Sequence, residues 1–208
     1  MRRPRAALSL ALGLFLLLVS NSRVEAQRTP PPPAPRAIEF PDTLGAAFNI
    51  ADSASAHGSP SDFDFLVGEW QFRFQVRRPD GVFVQPFTGK WSAKKKATRN
   101  AFIEDRWRPD IVPDGTEEGT FTYRAFSPAR HLWIMQGVDT GEGRWAPGLI
   151  WSDADNRYAI QNYGPFIMRI RYFAITPDSF KWRADMSIDH GKTWLLDAWT
   201  MQATRFVK

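Results

Sequence analysis

The chain has 208 residues, a net charge of +5, nine tryptophans, sixteen phenylalanines and no cysteine. The missing thiols exclude a disulfide framework, a cysteine nucleophile, a cysteine-based metal site and a lipid-modified cysteine anchor. Residues 1–26 carry four of the basic side chains and one of the acidic ones, so without them the net charge is only +2, little reason to expect nucleic acid or an anionic membrane as partner.

That first segment reads as a secretory signal peptide. MRRPR is a basic leader, Ala6 to Val19 is an uncharged apolar run, and Val24-Glu25-Ala26 offers small residues where a signal peptidase cuts. The run is short of the ~20 residues that span a bilayer. The expectation is export to the periplasm or the medium, with no membrane anchor. Residues 27–61 read as a linker. Arg28 to Arg36 is proline-rich and favours polyproline II, and Leu44 to Ser55 has room for one short helix. Residues 62–208 are enough for one domain with its own core.

From Gly68 onward the apolar period is two. Trp70, Phe72, Phe74 and Val76 alternate with polar residues, as do Phe180, Trp182, Ala184 and Met186. Ten strands are predicted: 68–78, 82–95, 100–108, 117–126, 130–139, 145–152, 157–163, 166–176, 179–187 and 193–205. Turn residues separate them, among them Pro79-Asp80-Gly81, Pro113-Asp114-Gly115 and Tyr163-Gly164-Pro165. No segment between them has helical length or period. The fold class is all-β, an up-and-down antiparallel barrel of about ten strands, a size that can enclose one small ligand. Leu132 to Val138 and Phe166 to Ile175 are apolar on both faces, so a covering element or a second subunit in a homodimer is expected on the outer wall.

Phe63-Asp64-Phe65-Leu66-Val67-Gly68-Glu69-Trp70 resembles the opening of lipocalins and other calycins, in which the tryptophan closes the base of a barrel. Together with Glu104-x-x-Trp107, Trp133-x-x-Gln136-x-Val138-Asp139 and Ser187-x-Asp189-x-Gly191-x-Thr193-Trp194, it also resembles a bacterial family of β-barrel domains of unassigned function. The resemblance spans nearly the whole domain and implies the fold without an activity. The last motif matches the Asp-box turn of sialidases. A sialidase propeller needs about six four-stranded blades, more chain than is present, and the box occurs once. Ser187, Asp189, Gly191, Thr193 and Trp194 are therefore assigned a structural hairpin role.

Catalytic signatures are sparse. His57, His131 and His190 have no metal-ligand spacing, and a haem ligand, for which His131 or His190 could serve, is the less favoured reading beside surface histidines. Asp153-Ala154-Asp155-Asn156 starts like a calcium loop but has Tyr158 and Gly164 where an EF-hand needs Gly and Glu, so an Asp/Asn turn is expected. Lys94, Lys95, Lys96 and Arg99 read as a solvated hairpin tip. Glu104 and Gln136 sit in apolar strands, where a polar group either joins an internal network or meets a ligand.

The leading expectation is an exported barrel that binds a small apolar or amphipathic molecule. Trp91, Trp107 and Tyr172 would form walls, with Glu104, Arg106 and Gln136 orienting its polar groups; no metal and no cofactor is called for. Two alternatives stay open: a hydrolase or isomerase using Glu104 as acid or base, and a structural or dimerisation module.

Overall fold

A computed structural model describes residues 57–112, 116 and 118–206. The signal-peptide and short-helix expectations fall outside that range. Ten strands follow in order: β1 Gly68–Val76, β2 Phe87–Lys95, β3 Phe102–Pro109, β4 Thr120–Ser127, β5 Leu132–Asp139, β6 Arg144–Ser152, β7 Arg157–Asn162, β8 Ile167–Phe173, β9 Ser179–Ser187 and β10 Leu195–Arg205. Each pairs antiparallel with its chain neighbour, and β10 returns to β1, so the sheet closes as a barrel. Trp70 lies opposite Arg205 and Val76 opposite Trp199 at that seam. Closure leaves no unpaired edge. Among the described residues no helix is long and apolar enough to cross a membrane.

Strand alternation sorts the side chains. Trp70, Phe72, Phe74, Trp91, Trp133, Ile150, Met168, Tyr172, Phe180 and Met201 are buried in one interior cluster. They pack mainly edge-on, as ring quadrupoles prefer; Trp70 meets Phe180 at a centroid distance of 4.9 Å and Phe63 meets Trp133 at 5.5 Å. Small residues let this many rings fit. A side chain at Gly89 would collide with the Phe72 ring and the Arg108 carbonyl. The interior is therefore filled by its own side chains.

One end is sealed by residues 57–66. Composition places 57–61 in the linker, but His57 bridges to Ser152, and the Trp133 indole donates to the Ser59 carbonyl at 2.8 Å. A 3₁₀ turn, Asp64–Leu66, buries Leu66 beneath the barrel, and the Trp70 indole donates to its carbonyl at 2.8 Å. Arg205 locks the seal. Its guanidinium donates to the carbonyls of Pro177, Val67 and Phe65 and lies over the Trp70 ring, 4.1 Å from the centroid.

The outer wall carries an apolar strip in which Leu149, Ile160 and Ile167 are buried against Ile134, Trp151 and Trp194. Trp194 reaches it from the β9–β10 hairpin. There the Asp189 carboxylate accepts from the Thr193 amide at 2.9 Å, the Thr193 hydroxyl at 2.7 Å and the Ser187 hydroxyl at 2.8 Å. His190 and Gly191 turn the chain with positive φ, and the Ser187 hydroxyl accepts from the Gly191 amide at 2.7 Å. The two-faced apolar strands are thus covered in part by this hairpin.

Candidate functional site

Among the described residues, one ion pair is fully buried on both sides, and it lies inside the barrel. β3 sends Ile103, Asp105 and Trp107 inward, and β4 sends Thr122, Arg124 and Phe126 inward. Arg124 forms an ion pair with Asp105, their side chains 2% and 1% exposed. The Trp91 indole donates to the other Asp105 oxygen at 2.7 Å, and Arg124 Nη2 donates to the Tyr172 hydroxyl at 3.2 Å. The guanidinium also lies 5.4 Å from the Phe63 ring centroid and 6.0 Å from that of Trp91. Arg124 Nε has no hydrogen-bond partner among the described residues. A guanidinium remains charged at any working pH, so burying it needs a counter-charge and full hydrogen bonding. Asp105 supplies the charge; Nε stays unmet.

The end away from the seal is rimmed by half-buried aromatic rings. Phe87, Trp107, Tyr163, Phe166 and Trp199 pack there against the fully buried cluster. Phe72 stacks on Trp107 at 5.0 Å with 9° between the planes, and Phe74 contacts Phe87, Trp107 and Trp199. The Tyr163 hydroxyl donates to Gln161 Oε1 at 3.0 Å, and Gln161 Nε2 donates to the Ala146 carbonyl at 3.0 Å. Burial pushes the Tyr163 phenol well above its usual pKa, so it stays a neutral donor.

The structure separates the six residues nominated from the sequence. Trp91, Trp107 and Tyr172 share the interior. Glu104, Arg106 and Gln136 do not join them. Trp91 pairs with Trp107 and Ala93 with Asp105, so the intervening Glu104 and Arg106 project from the outer wall. Glu104 is partly exposed and lies 3.0 Å from Lys96. Arg106 lies over the Phe121 ring at 5.1 Å. Gln136 pairs with Tyr123 and Pro147 on the outer face and donates to the Gly137 carbonyl at 3.2 Å. The expectation that these three orient a ligand inside the barrel is corrected. An acid–base role for Glu104 in the interior loses its geometry with it. The sequence patterns point to neither Asp105 nor Arg124, which carry the interior charge.

The remaining polar motifs are used locally. Asp153 accepts from the amides of Asp155 at 2.9 Å and Asn156 at 2.7 Å and from the Tyr158 hydroxyl at 2.8 Å. Burial alone would raise its pKa, but these hydrogen bonds and those of the Asn156 amide outweigh it and bring it to about 2. Lys95 pairs with Asp64 at 2.6 Å, and Lys96 pairs with Glu104 as described. His57 and His131 meet edge-on at 6.4 Å near the seal. Among the described residues no three histidines or carboxylates gather as a metal site.

Closed connectivity, ten antiparallel strands and a sealed base define a calycin-like barrel. No family model and no curated protein matches the chain. Solved structures do. An S-type phycobiliprotein lyase, CPES of Guillardia theta, is similar at 13% identity and a TM-score of 0.51, over 70% of this chain and 91% of that one. Rv2717c of M. tuberculosis is similar at 13% identity and a TM-score of 0.50, over 73% of this chain and 99% of that one. At that identity the likeness is one of fold.

Proposed function

We propose that this is an exported barrel that binds a small, largely apolar molecule carrying one hydrogen-bond acceptor. The observation that carries the reading is Arg124: a guanidinium buried among aromatic rings, neutralised by Asp105, with Nε unpartnered. A buried donor without an acceptor costs about 1–3 kcal/mol, and a ligand oxygen or nitrogen placed there would recover it. The neutralised pair suits a neutral acceptor, such as a carbonyl, better than a second anion. The interior is packed and Arg124 lies beside Phe63 of the sealing segment, so the ligand reaches it as the sealed end opens rather than through the aromatic rim. The similarity to a phycobiliprotein lyase supports a barrel of this shape serving small-molecule chemistry, and the leader sequence supports export.

Native mass spectrometry of the protein purified from an exporting host tests this. The expected result is a non-covalent mass above that of the chain, lost on denaturation and lost from an Arg124→Met, Asp105→Leu double variant that remains folded. The chain mass alone, with a near-UV circular dichroism spectrum unmoved by a hydrophobic dye probe, would overturn it.

A further inference from the structure

The outer wall has a second feature, on the opposite parity from the aromatic interior. A groove of about 340 Å³ runs across β8, β9, β10 and β1. That is the lower end of the ~300–1,000 Å³ range of small-ligand clefts. Its polar lining consists of Arg73, Gln75, Lys181, Arg183, Thr200 and Gln202, with one acid, Asp197. Register builds it. Arg73 lies opposite Gln202 and Gln75 opposite Thr200 across the barrel seam, while Lys181 faces Gln202 and Arg183 faces Thr200 on the other side. Thr200 and Gln202 of β10 thus lie between Arg73 and Gln75 on one side and Lys181 and Arg183 on the other.

Three cations face one acid there. Arg183 lies 3.4 Å from Asp197, an exposed and weak pair. Arg73 and Lys181 have no ion pair among the described residues. Their neighbours on β8 are tied down: Arg169 pairs with Asp185 at 2.8 Å, and Arg171 donates twice to the side-chain Oδ1 of Asn156, at 3.0 and 2.8 Å. Phe173 closes one end of the groove, its ring flanked by Arg171 at 5.2 Å and Arg183 at 5.9 Å.

We infer that this groove binds an acidic saccharide, a hydroxyl-rich ring bearing carboxylates. The cations take the carboxylates, and the amides of Gln75 and Gln202 and the hydroxyl of Thr200 take ring hydroxyls by donating and accepting. A peptide added as an extra strand would need a free strand edge, and the closed barrel offers none. Single-stranded nucleic acid would need open aromatic faces for stacking, and both flanks of Phe173 are occupied by guanidinium groups.

The test is an amide-resonance NMR titration of the purified protein with tri-galacturonate at about 0.1 M salt, where charges beyond ~10 Å are screened. Maltotriose serves as the neutral probe and sulfate as the simple anion. Tri-galacturonate should shift the resonances of β1, β9 and β10 around the groove, maltotriose should not, and sulfate should bind about tenfold more weakly or worse. An Arg73→Gln, Lys181→Gln variant should lose about tenfold in affinity, while Lys94→Gln, Arg99→Gln, at the far hairpin, keeps it. These residues are exposed, so a dispersed spectrum confirms that each variant is folded. Absence of shifts, equal binding of sulfate, or equal loss in the two variants overturns the inference.

Discussion

Asp105 and Arg124 form an ion pair from adjacent strands inside the barrel, within a shell of Trp91, Phe63 and Tyr172. Removing either partner strands the other. Asp105→Ala should cost about 3–5 kcal/mol, because it leaves an uncompensated buried guanidinium. The Asp105→Leu, Arg124→Met double variant should regain most of that loss, because it removes both desolvation penalties together. Urea unfolding of the three proteins checks this. A double variant no more stable than the single one would mean that the pair is not the unit we describe.

Glu104→Gln gives the converse result. Its side chain lies on the outer wall beside Lys96, and exposed pairs contribute about 0–1 kcal/mol. The variant should unfold within about 1 kcal/mol of the parent and retain any ligand mass seen in native spectra. Loss of the ligand in Glu104→Gln, with the Asp105 double variant unaffected, would move the site outside the barrel.

These two carboxylates also show where the sequence stops being informative. Most of the ten strands are legible because apolar residues recur with a period of two and Gly, Pro or Asp turns separate most of them. In Phe102 to Trp107 both parities begin apolar and both carry an acid, so period two does not say which acid points inward. The register of β3 on β2 decides it, by setting Trp107 against Trp91, and that pairing is a property of the closed barrel. On β4 the rule runs backwards. Thr122 and Arg124 face in while Phe121 and Tyr123 face out, because Arg124 answers Asp105 on the neighbouring strand. A local signal was present nonetheless: Ile103, Asp105 and Trp107 form the parity bounded by apolar residues on both sides.

Gly89→Ala reports on how tightly the interior is filled. Its added methyl would meet the Phe72 ring and the Arg108 backbone, which has no rotamer by which to retreat. Overpacking of this kind costs about 1–3 kcal/mol. At Gly137 the obstacle is the end of the Gln161 side chain, so Gly137→Ala should cost less. Thermal unfolding of both variants gives the order, and equal midpoints would contradict the packing described.

The two turn carboxylates predict an acid-sensitive stability. Asp153 titrates at about 2, held down by the Tyr158 hydroxyl and neighbouring amides against the pull of burial. Asp189 is held lower still, first by the Thr193 amide, then by the Thr193 and Ser187 hydroxyls. Both are depressed below the ordinary carboxylate range near ~3.9. The folded chain therefore binds fewer protons than the unfolded one over that interval. Their stabilisation is complete above about pH 4 and is lost as the pH falls toward 2 and below. Asp153→Asn and Asp189→Asn lack it at every pH. The urea midpoint of the parent should exceed those of both variants at pH 5, and the gaps should narrow as the pH is lowered to 2, the Asp153 gap closing first because its carboxylate protonates at the higher pH. Gaps that stay constant across that range would show that the variants lose packing rather than a charge-dependent turn.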